Sequence, residues 1–302
     1  MTPALSIVVV AFDMARELPR TIQSLLPPCQ QDIAAGDIQI IIADNGSAQP
    51  VRREAFPEGA DIRVIRVEDG GVSPCRAINR AAALATGERI AVMVDGARMA
   101  SPGLVATALQ AARIDPKAFV ATLGLHLGPT VQQISTTEGY DRAVEDALLA
   151  GIGWPADGYR LFEISALGES YSQGVLASPP ETTFFVMGRA RFIGMGGFDE
   201  RFASLGGGLA SFDVYERALA EADAPLVLLV GEATFHQLHF GATTQADGIR
   251  RPAPNGEGSL GQLYAAEYAA IRGAPWAGTP RRPLLFGRLT HPAVRGLFFP
   301  TT

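Results

Sequence analysis

The chain has 302 residues, 47% of them apolar and 19% charged, so it can bury a large core without disulfide staples. Its net charge of -6, with both signs interspersed, argues against a nucleic acid partner. Cys29 and Cys75 lack metal-knuckle spacing, which fits free thiols in a reducing compartment. No apolar run approaches the roughly 18 residues of a membrane-spanning helix, and no basic stretch precedes the first apolar run. We therefore expect a cytoplasmic protein without a signal peptide or transmembrane segment.

Short β-branched runs alternate with helical patterns in the first half of the chain. Leu5–Phe12 is wholly apolar, which is typical of a strand covered on both faces in a parallel sheet. Apolar residues at helical spacing follow until Pro27 and Pro28 end the helix. The same rhythm predicts strands at Ile38–Ala43, Ile62–Val67, Arg89–Val94 and Phe119–Leu125, and helices at Ala77–Ala85 and Pro102–Arg113. This alternation predicts a doubly wound α/β fold with a mostly parallel sheet.

The rhythm changes in the second half. Residues 126–180 carry one helical pattern, at Tyr140–Ala150, and we interpret them as an insertion covering the functional edge of the sheet. The regular elements predicted after it are strands at Thr182–Met187 and Leu226–Val230 and a helix at Asp213–Ala220. We thus predict one domain over residues 1–248 and a region 249–302 with a helix near Leu263–Ile271 and a Pro/Arg/aromatic tail. The tail either wraps the domain, meets a second subunit or makes a peripheral membrane contact.

Two carboxylates follow strands whose carboxyl ends should meet at one edge. Asp44 ends the second predicted strand and Asp95 follows the fourth. Open α/β sheets bind ligands at this edge. The first turn lacks the glycine pattern of dinucleotide-binding folds, and the chain has no P-loop sequence. The alternative for each residue is local turn chemistry, an Asx turn for Asp44 and a cap or turn for Asp95.

The order of motifs resembles the family 2 glycosyltransferases with the GT-A fold over about residues 5–245. The matching features are the opening SIVVVAF strand, DNGS after the second strand, an Asn-containing helix ending in ATGE, an aspartate after the next strand, GGFDERF, and a histidine in a late strand. The resemblance implies transfer of a sugar from a nucleoside diphosphate donor, with UDP favoured, to a glycan, lipid-linked or small acceptor.

The resemblance also implies roles for particular residues at the nucleotide. Ala11, Phe12 and Asp44 would hold the base and ribose, with the Arg76 and Asn79 region beside them. We expect a carboxylate at the end of a strand to accept the imide N–H of the base.

A divalent cation, Mn²⁺ or Mg²⁺, is implied at the diphosphate, where negative charge develops as the donor breaks. Asp95 would face it, and His236 stands at the position of the family's late histidine. His239 is a further candidate ligand. Both histidines reach one site only if the chain turns between them, since strand side chains alternate in direction. The alternative is that they are ordinary packing or loop histidines.

Two departures from the family pattern affect the chemistry. The usual DxD reads Asp95-Gly96-Ala97, so the second carboxylate is missing, and Arg98 follows. We expect weak or nucleotide-dependent metal binding, with Arg98 either on the diphosphate or in an ordinary salt bridge.

The second departure concerns the catalytic base of an inverting transfer. Ala210 and Ser211 stand where the family has a Glu-Asp pair. Asp213 is the first remaining candidate, with Glu181 and Asp199 more distant, and the alternative for Asp213 is a helix-terminal acid. These departures leave open a catalytically inactive, nucleotide- or sugar-binding relative with a regulatory or scaffold role in glycan assembly.

Overall fold

Strand β1 (Leu5–Ala11) is apolar throughout because both of its faces are covered. Val8 and Val10 point into one hydrophobic cluster, and Ile7 and Val9 point into the cluster on the opposite side. This alternation follows from the two-residue repeat of a strand. The strand lies between two parallel neighbours, so its backbone groups are paired on both sides. The sequence prediction of a buried first strand is confirmed.

The computed structural model describes residues 2–239, 241, 244, 247–278 and 281–300. In this part of the chain, ten strands form one sheet, with β10-β9-β6-β8-β4-β1-β2-β3 as its main order, β5 paired with β9, and β7 with β6. The strands after β1 are β2 (Ile38–Asp44), β3 (Asp61–Arg66), β4 (Arg89–Met93), β5 (Arg98–Ala100), β6 (Phe119–Leu127), β7 (Ser165–Leu167), β8 (Phe184–Gly188), β9 (Leu226–His236) and β10 (Leu284–Gly287).

The sheet is mostly parallel, as predicted. The pairs β1–β2, β1–β4, β2–β3, β6–β9 and β9–β10 are parallel. Strand β8 enters between β4 and β6 and is antiparallel to both. The amino end of β8 therefore lies at the same edge as the carboxyl ends of β4 and β6.

Helices flank this sheet. The six predicted from the sequence lie close to their predicted positions, and three others, at Gln132–Ser135, Arg189–Gly194 and Pro292–Phe298, had no predicted counterpart. Their bounds are α1 (Leu18–Ser24), α2 (Cys75–Ala82), α3 (Leu104–Ala111), α4 (Gln132–Ser135), α5 (Arg142–Gly151), α6 (Arg189–Gly194), α7 (Ala210–Ala218), α8 (Leu260–Arg272) and α9 (Pro292–Phe298). None of the helices in the described residues is long and apolar enough to span a bilayer.

Strand β9 is six residues longer than predicted, ending at His236 instead of Val230. The prediction stopped because polar residues interrupt the apolar run, yet the whole strand is buried. Glu232 is accommodated because its carboxylate accepts hydrogen bonds from Ser101 Oγ, Gly103 N and the hydroxyl of Tyr159. Buried polar groups are tolerated when paired in this way.

The region 126–180 both extends the sheet and contacts its edge. β7 pairs antiparallel with the end of β6. No sequence pattern indicated β7. On α5, Glu145 accepts the backbone N–H of Leu238 at 2.7 Å and pairs with Arg16 at 3.1 Å. The segment therefore touches both the β1–α1 loop and the chain just after β9.

The described residues after 248 pack on the rest of the domain. β10 pairs with β9, and Val294 and Phe298 of α9 are fully buried in the main core cluster. Of the three alternatives for the tail, the described residues show wrapping. The division of the chain at residue 248 stays a prediction.

Asp213 on α7 anchors α8 through buried ion pairs. Its side chain is 1% exposed, and its carboxylate accepts from Arg217 Nε and Arg272 Nη2, each at 2.7 Å. Arg272 also pairs with Asp199 at 2.9 Å. Two cations thus compensate the burial of this carboxylate.

Removal of the Asp213 carboxylate is expected to destabilise the fold. Asp213→Ala leaves Arg217 and Arg272 without their shared partner, and we expect a loss of about 3 kcal/mol in the free energy of unfolding. Urea denaturation measures it. Asp223→Ala, which removes an exposed partner of Lys117, is the control and should cost much less. Equal losses in both variants would contradict the anchoring role.

Candidate active site at the carboxyl edge of the sheet

Several strand ends meet at one edge of the sheet. β6 and β9 place His126 opposite His236 in parallel register, and β5 places Arg98 opposite His236 on the other side. Asp95 follows β4, whose carboxyl end reaches the same edge. The backbone N–H of Val94 donates to the carbonyl of Thr183, which brings the amino end of β8 to the same place.

Asp95, His236 and His239 form a triangle of potential ligand atoms. Nε2 of His236 lies 2.9 Å from Oδ2 of Asp95 and 3.0 Å from Nε2 of His239. Nε2 of His239 lies 3.1 Å from the same carboxylate oxygen. The two histidines converge because β9 ends at His236 and the chain turns before His239. The condition stated from the sequence is met.

Gln132 on α4 fixes the orientation and the proton of His236. The amide Nε2 of Gln132 donates to the carbonyl of His236, so its Oε1 faces Nδ1 of the same histidine, at 2.7 Å. Nδ1 therefore carries the hydrogen, and the lone pair of Nε2 points into the triangle. A histidine oriented in this way by a second residue is typical of metal ligands.

The pKa values of the triangle favour a neutral His236 and an ionised Asp95. Burial lowers the pKa of His236 to about 4. Burial acts to raise the pKa of Asp95, but the charge on His239 acts against this, and the pKa lies well below its usual range. Burial acts to lower the pKa of His239, and the Asp95 charge outweighs this and raises it.

This donor set fits a divalent cation. Two ligand atoms in adjacent octahedral positions, each about 2.1 Å from a metal, lie about 3.0 Å apart, close to the observed 2.9–3.1 Å. The imidazole nitrogens favour Mn²⁺ over Mg²⁺, which prefers oxygen ligands.

The loop after Asp95 is tightly packed at Gly96 and Ala97, so it has no room for a second carboxylate side chain. A Cβ at Gly96 would lie 2.4 Å from the carbonyl oxygen of Val10, and Ala97 is fully buried. Oδ1 of Asp95 accepts the N–H of Ala97 at 2.9 Å. Asp95 therefore forms a turn with one oxygen and joins the histidines with the other, and its contact with a diphosphate and cation stays a prediction.

Arg98 makes no ion pair with any residue that the structure describes. Its Nε is buried and has no hydrogen-bond partner in the described part of the chain. Its Nη1 faces Gly124 of β6, where a Cβ would lie 3.4 Å away. The guanidinium charge helps to lower the pKa of His126 and of His236, after burial. The site thus contains a positive charge beside the triangle.

The β1–α1 turn presents an aromatic ring to solvent. Phe12, directly after β1, is 52% exposed. Asp13 has a φ of 51°, which is uncommon outside glycine, and its carboxylate accepts the N–H of Ala48 at 2.7 Å. Ser47 Oγ accepts the N–H of Asp13. These contacts join the loops that follow β1 and β2. They therefore keep the backbone at Phe12 at the carboxyl edge of the sheet although its ring is exposed.

Asp44 is engaged within its own loop. It has no exposed surface, and its carboxylate accepts from Ser47 N at 2.9 Å, Val51 N at 3.0 Å and Arg66 Nη1 at 2.9 Å. Burial acts to raise the pKa of Asp44, but these hydrogen bonds lower it. Ala11, its register partner on β1, is also fully buried. The turn-forming alternative accounts for these contacts, and direct contact of Ala11 or Asp44 with the nucleotide stays a prediction.

Arg76 and Asn79 hold the GGFDERF segment against α2. Arg76 pairs with Asp69 at 3.0 Å and Glu200 at 3.3 Å. Asn79 donates to the carbonyl of Phe198 at 2.8 Å and accepts its N–H at 2.9 Å. These contacts give both residues a structural role, and their contact with a nucleotide also stays a prediction.

The sequence interpretation missed three residues that support the site. Gln132 orients His236, Glu145 holds the chain beside His239, and His126 packs against His236 with ring centroids 5.3 Å apart. Gln132 and Glu145 lie in the region that had no strand rhythm, so no local pattern marked them. His126 had a signal, because leucines at positions 123, 125 and 127 alternate with other residues, so the strand pattern continues through it.

Comparison with known proteins agrees with the motif resemblance. Residues 6–131 match the model of "Glycosyl transferase family 2". No curated protein sequence matches the chain significantly. The fold is similar to S. aureus TarS 1-349 in complex with UDP-GlcNAc, with a TM-score of 0.54 and 12% identity, covering 88% of this chain and 66% of that one. The complex with UDP gives 0.52 and 14%, covering 78% and 60%.

The match of residues 6–131, which are less than half of the chain, confirms the resemblance that the order of motifs predicted. The mixed α/β fold with its mostly parallel sheet is the GT-A-like fold of these structures. The chain spans 60% of the TarS fragment and 36% of the longer TarS chain.

Loss of the Gln132 amide is expected to weaken cation binding. Gln132→Leu removes the acceptor that keeps the hydrogen on Nδ1 of His236, and we expect Mn²⁺ affinity to fall about 10- to 100-fold. Calorimetry with MnCl2 in the presence of UDP measures it. Gln133→Leu, at the neighbouring position, is the control. Wild-type affinity in Gln132→Leu would contradict this role.

Proposed function

We propose that this protein is a sugar-nucleotide-dependent glycosyltransferase that holds a nucleoside diphosphate sugar, of the UDP type, at the carboxyl edge of its sheet. The observation that carries the proposal is the Asp95–His236–His239 triangle, with three ligand atoms 2.9–3.1 Å apart. The family match and the UDP and UDP-GlcNAc complexes of the TarS structures support this choice of donor.

Two kinds of group would orient the donor, an aromatic ring for the base and a guanidinium for the diphosphate. Phe12 offers an exposed ring for stacking by the base, next to the loops that join β1 and β2. Arg98 offers its guanidinium to the diphosphate, whose oxygens suit a planar array of N–H donors. In this arrangement Asp44 shapes the loop around the base. A hydrogen bond from the imide N–H of the base to Asp44 would need an acceptor position of the carboxylate that no protein donor occupies.

The chemistry of transfer needs stabilisation of a leaving diphosphate. A cation held by Asp95, His236 and His239 would neutralise charge that develops on the diphosphate oxygens. Arg98 adds a fixed positive charge at the same edge. This charge would act on the diphosphate directly, whereas Ala97 at the second carboxylate position offers no further ligand to the cation. The acceptor we propose is a glycan, a lipid-linked or a small hydroxyl compound, met on the cytoplasmic side and in part at a membrane surface.

A binding protein without catalytic activity is the second candidate. It is favoured by Ala97, and by Ala210 and Ser211 at the positions of the Glu-Asp pair. Such a protein would bind UDP with Mn²⁺ but release no UDP from any UDP-sugar. Turnover assays across a panel of UDP-sugars distinguish it from the enzyme.

Nucleotide and cation are expected to bind together. We expect UDP affinity to be at least about tenfold higher with MnCl2 than with chelator, because the diphosphate completes the ligand set of the cation. Asp95→Asn and His236→Ala should remove the difference, while uridine binding to the wild type should show none. Calorimetry measures all of these. The same UDP affinity in Mn²⁺, in Mg²⁺ and in chelator would rule out the metal site.

Arg98 is expected to recognise phosphate specifically. Arg98→Leu should weaken UDP binding about 10- to 100-fold, the equivalent of about 1.5–3 kcal/mol for hydrogen bonds to a charged group, and leave uridine binding unchanged. Arg113→Leu, at an exposed position, is the control. A parallel loss for UDP and uridine would show that Arg98 supports the fold instead.

A further inference from the structure

Among the three acids that the sequence offered as base, two are committed to arginines. Asp213 accepts from Arg217 and Arg272 and is almost fully buried. Asp199 pairs with Arg201 and Arg272, and the hydrogen bond from Arg201 is the main cause that brings its pKa far below the usual range. A carboxylate held this way is a poor proton acceptor.

Glu181 is held differently, by two hydroxyl groups. Ser170 Oγ donates to its Oε1 at 2.8 Å, and Ser211 Oγ donates to its Oε2 at 3.1 Å. Each oxygen keeps a further lone pair, because a carboxylate has about four acceptor positions. Ser211 is the residue that stands where the resemblance placed a carboxylate. The carboxyl group of Glu181 therefore lies next to that position, supplied from a different element.

The topology places Glu181 at the same edge as the triangle. It lies two residues before Thr183, whose carbonyl accepts the N–H of Val94 next to Asp95. The hydroxyl of Thr183 is 3.0 Å from that of Thr234 on β9. Burial is the main cause that raises the pKa of the Tyr171 hydroxyl. The charge of Glu181 also raises this pKa and the charge of Arg98 lowers it, so Tyr171 lies near both residues. Glu181 and the triangle thus lie at the same edge of the sheet.

His126 is another potential base near the triangle, and its hydrogen bonding excludes it. Its Nδ1 accepts the N–H of Gln132 at 3.0 Å, so the neutral ring carries its hydrogen on Nε2 and has no free lone pair. Burial lowers the pKa of His126 well below its usual value, so the ring is neutral.

We propose that Glu181 is the catalytic base that accepts the proton of the acceptor hydroxyl; this inference rests on the proposed function. The acceptor oxygen forms a bond to the anomeric carbon as the bond from that carbon to the diphosphate oxygen breaks. The electron pair of the broken bond leaves with the nucleoside diphosphate, and the acceptor proton passes to a carboxylate oxygen of Glu181. Ser170 and Ser211 keep the carboxylate oriented, so they are positioning residues.

The test is UDP release from a panel of UDP-sugars with water as acceptor, in MnCl2. Glu181→Gln should lower kcat about 100-fold or more, the range for loss of a general base, and leave UDP affinity and donor KM unchanged. The dependence of kcat on pH on the acid side should flatten in this variant. Ser211→Ala should lower kcat less and keep the pH dependence.

Glu169→Gln, an exposed glutamate on the same segment, is the matched control, and thermal melting of each variant checks the fold. Release by Glu181→Gln at the wild-type rate would overturn the proposal, as would an equal loss in Glu169→Gln. Failure of the proposed function is distinct: the wild type would then bind no UDP in MnCl2, or bind it and release none from any donor.

Discussion

The antiparallel entry of β8 between β4 and β6 is the constraint on which the site depends. Parallel strands bring their carboxyl ends to one edge, and this gathers Asp95, His126 and His236. β8 runs the other way, so its amino end reaches that edge too and carries Glu181 with it. A parallel strand in this position would place the segment before β8 at the opposite edge, away from the histidines.

The edge concentrates charge that must be balanced. Asp95 carries the negative charge of the triangle, and Arg98 places a cation beside it with a buried Nε that lacks a partner in the described residues. An unpaired buried polar group costs free energy unless a ligand satisfies it. A nucleoside diphosphate with its cation would satisfy both requirements, since it brings anionic oxygens to Arg98 and a positive charge to Asp95.

The insertion and the tail support this edge by different means. Glu145 joins the chain beside His239 to Arg16 on the first turn, so the Asp95–His236–His239 triangle and the β1–α1 loop share one support. Asp213 and Arg272 join α7 to α8, which keeps the tail against the domain. We therefore assign Asp213 a structural role and propose that the proton acceptor lies in the segment before β8.

The sequence by itself determined the α/β class, most strands and helices, and the pair Asp95 and His236, because apolar periodicity and motif order are local properties. It underestimated β9, since a buried strand that contains Glu232 and His236 looks polar until its partners are known. Only the tertiary structure decided the convergence of His239 on His236, the support from Gln132, and which side chains Asp213, Asp199 and Glu181 contact. Those outcomes depend on contacts between residues distant in sequence, such as Gln132 with His236 and Ser211 with Glu181, which no periodic pattern encodes.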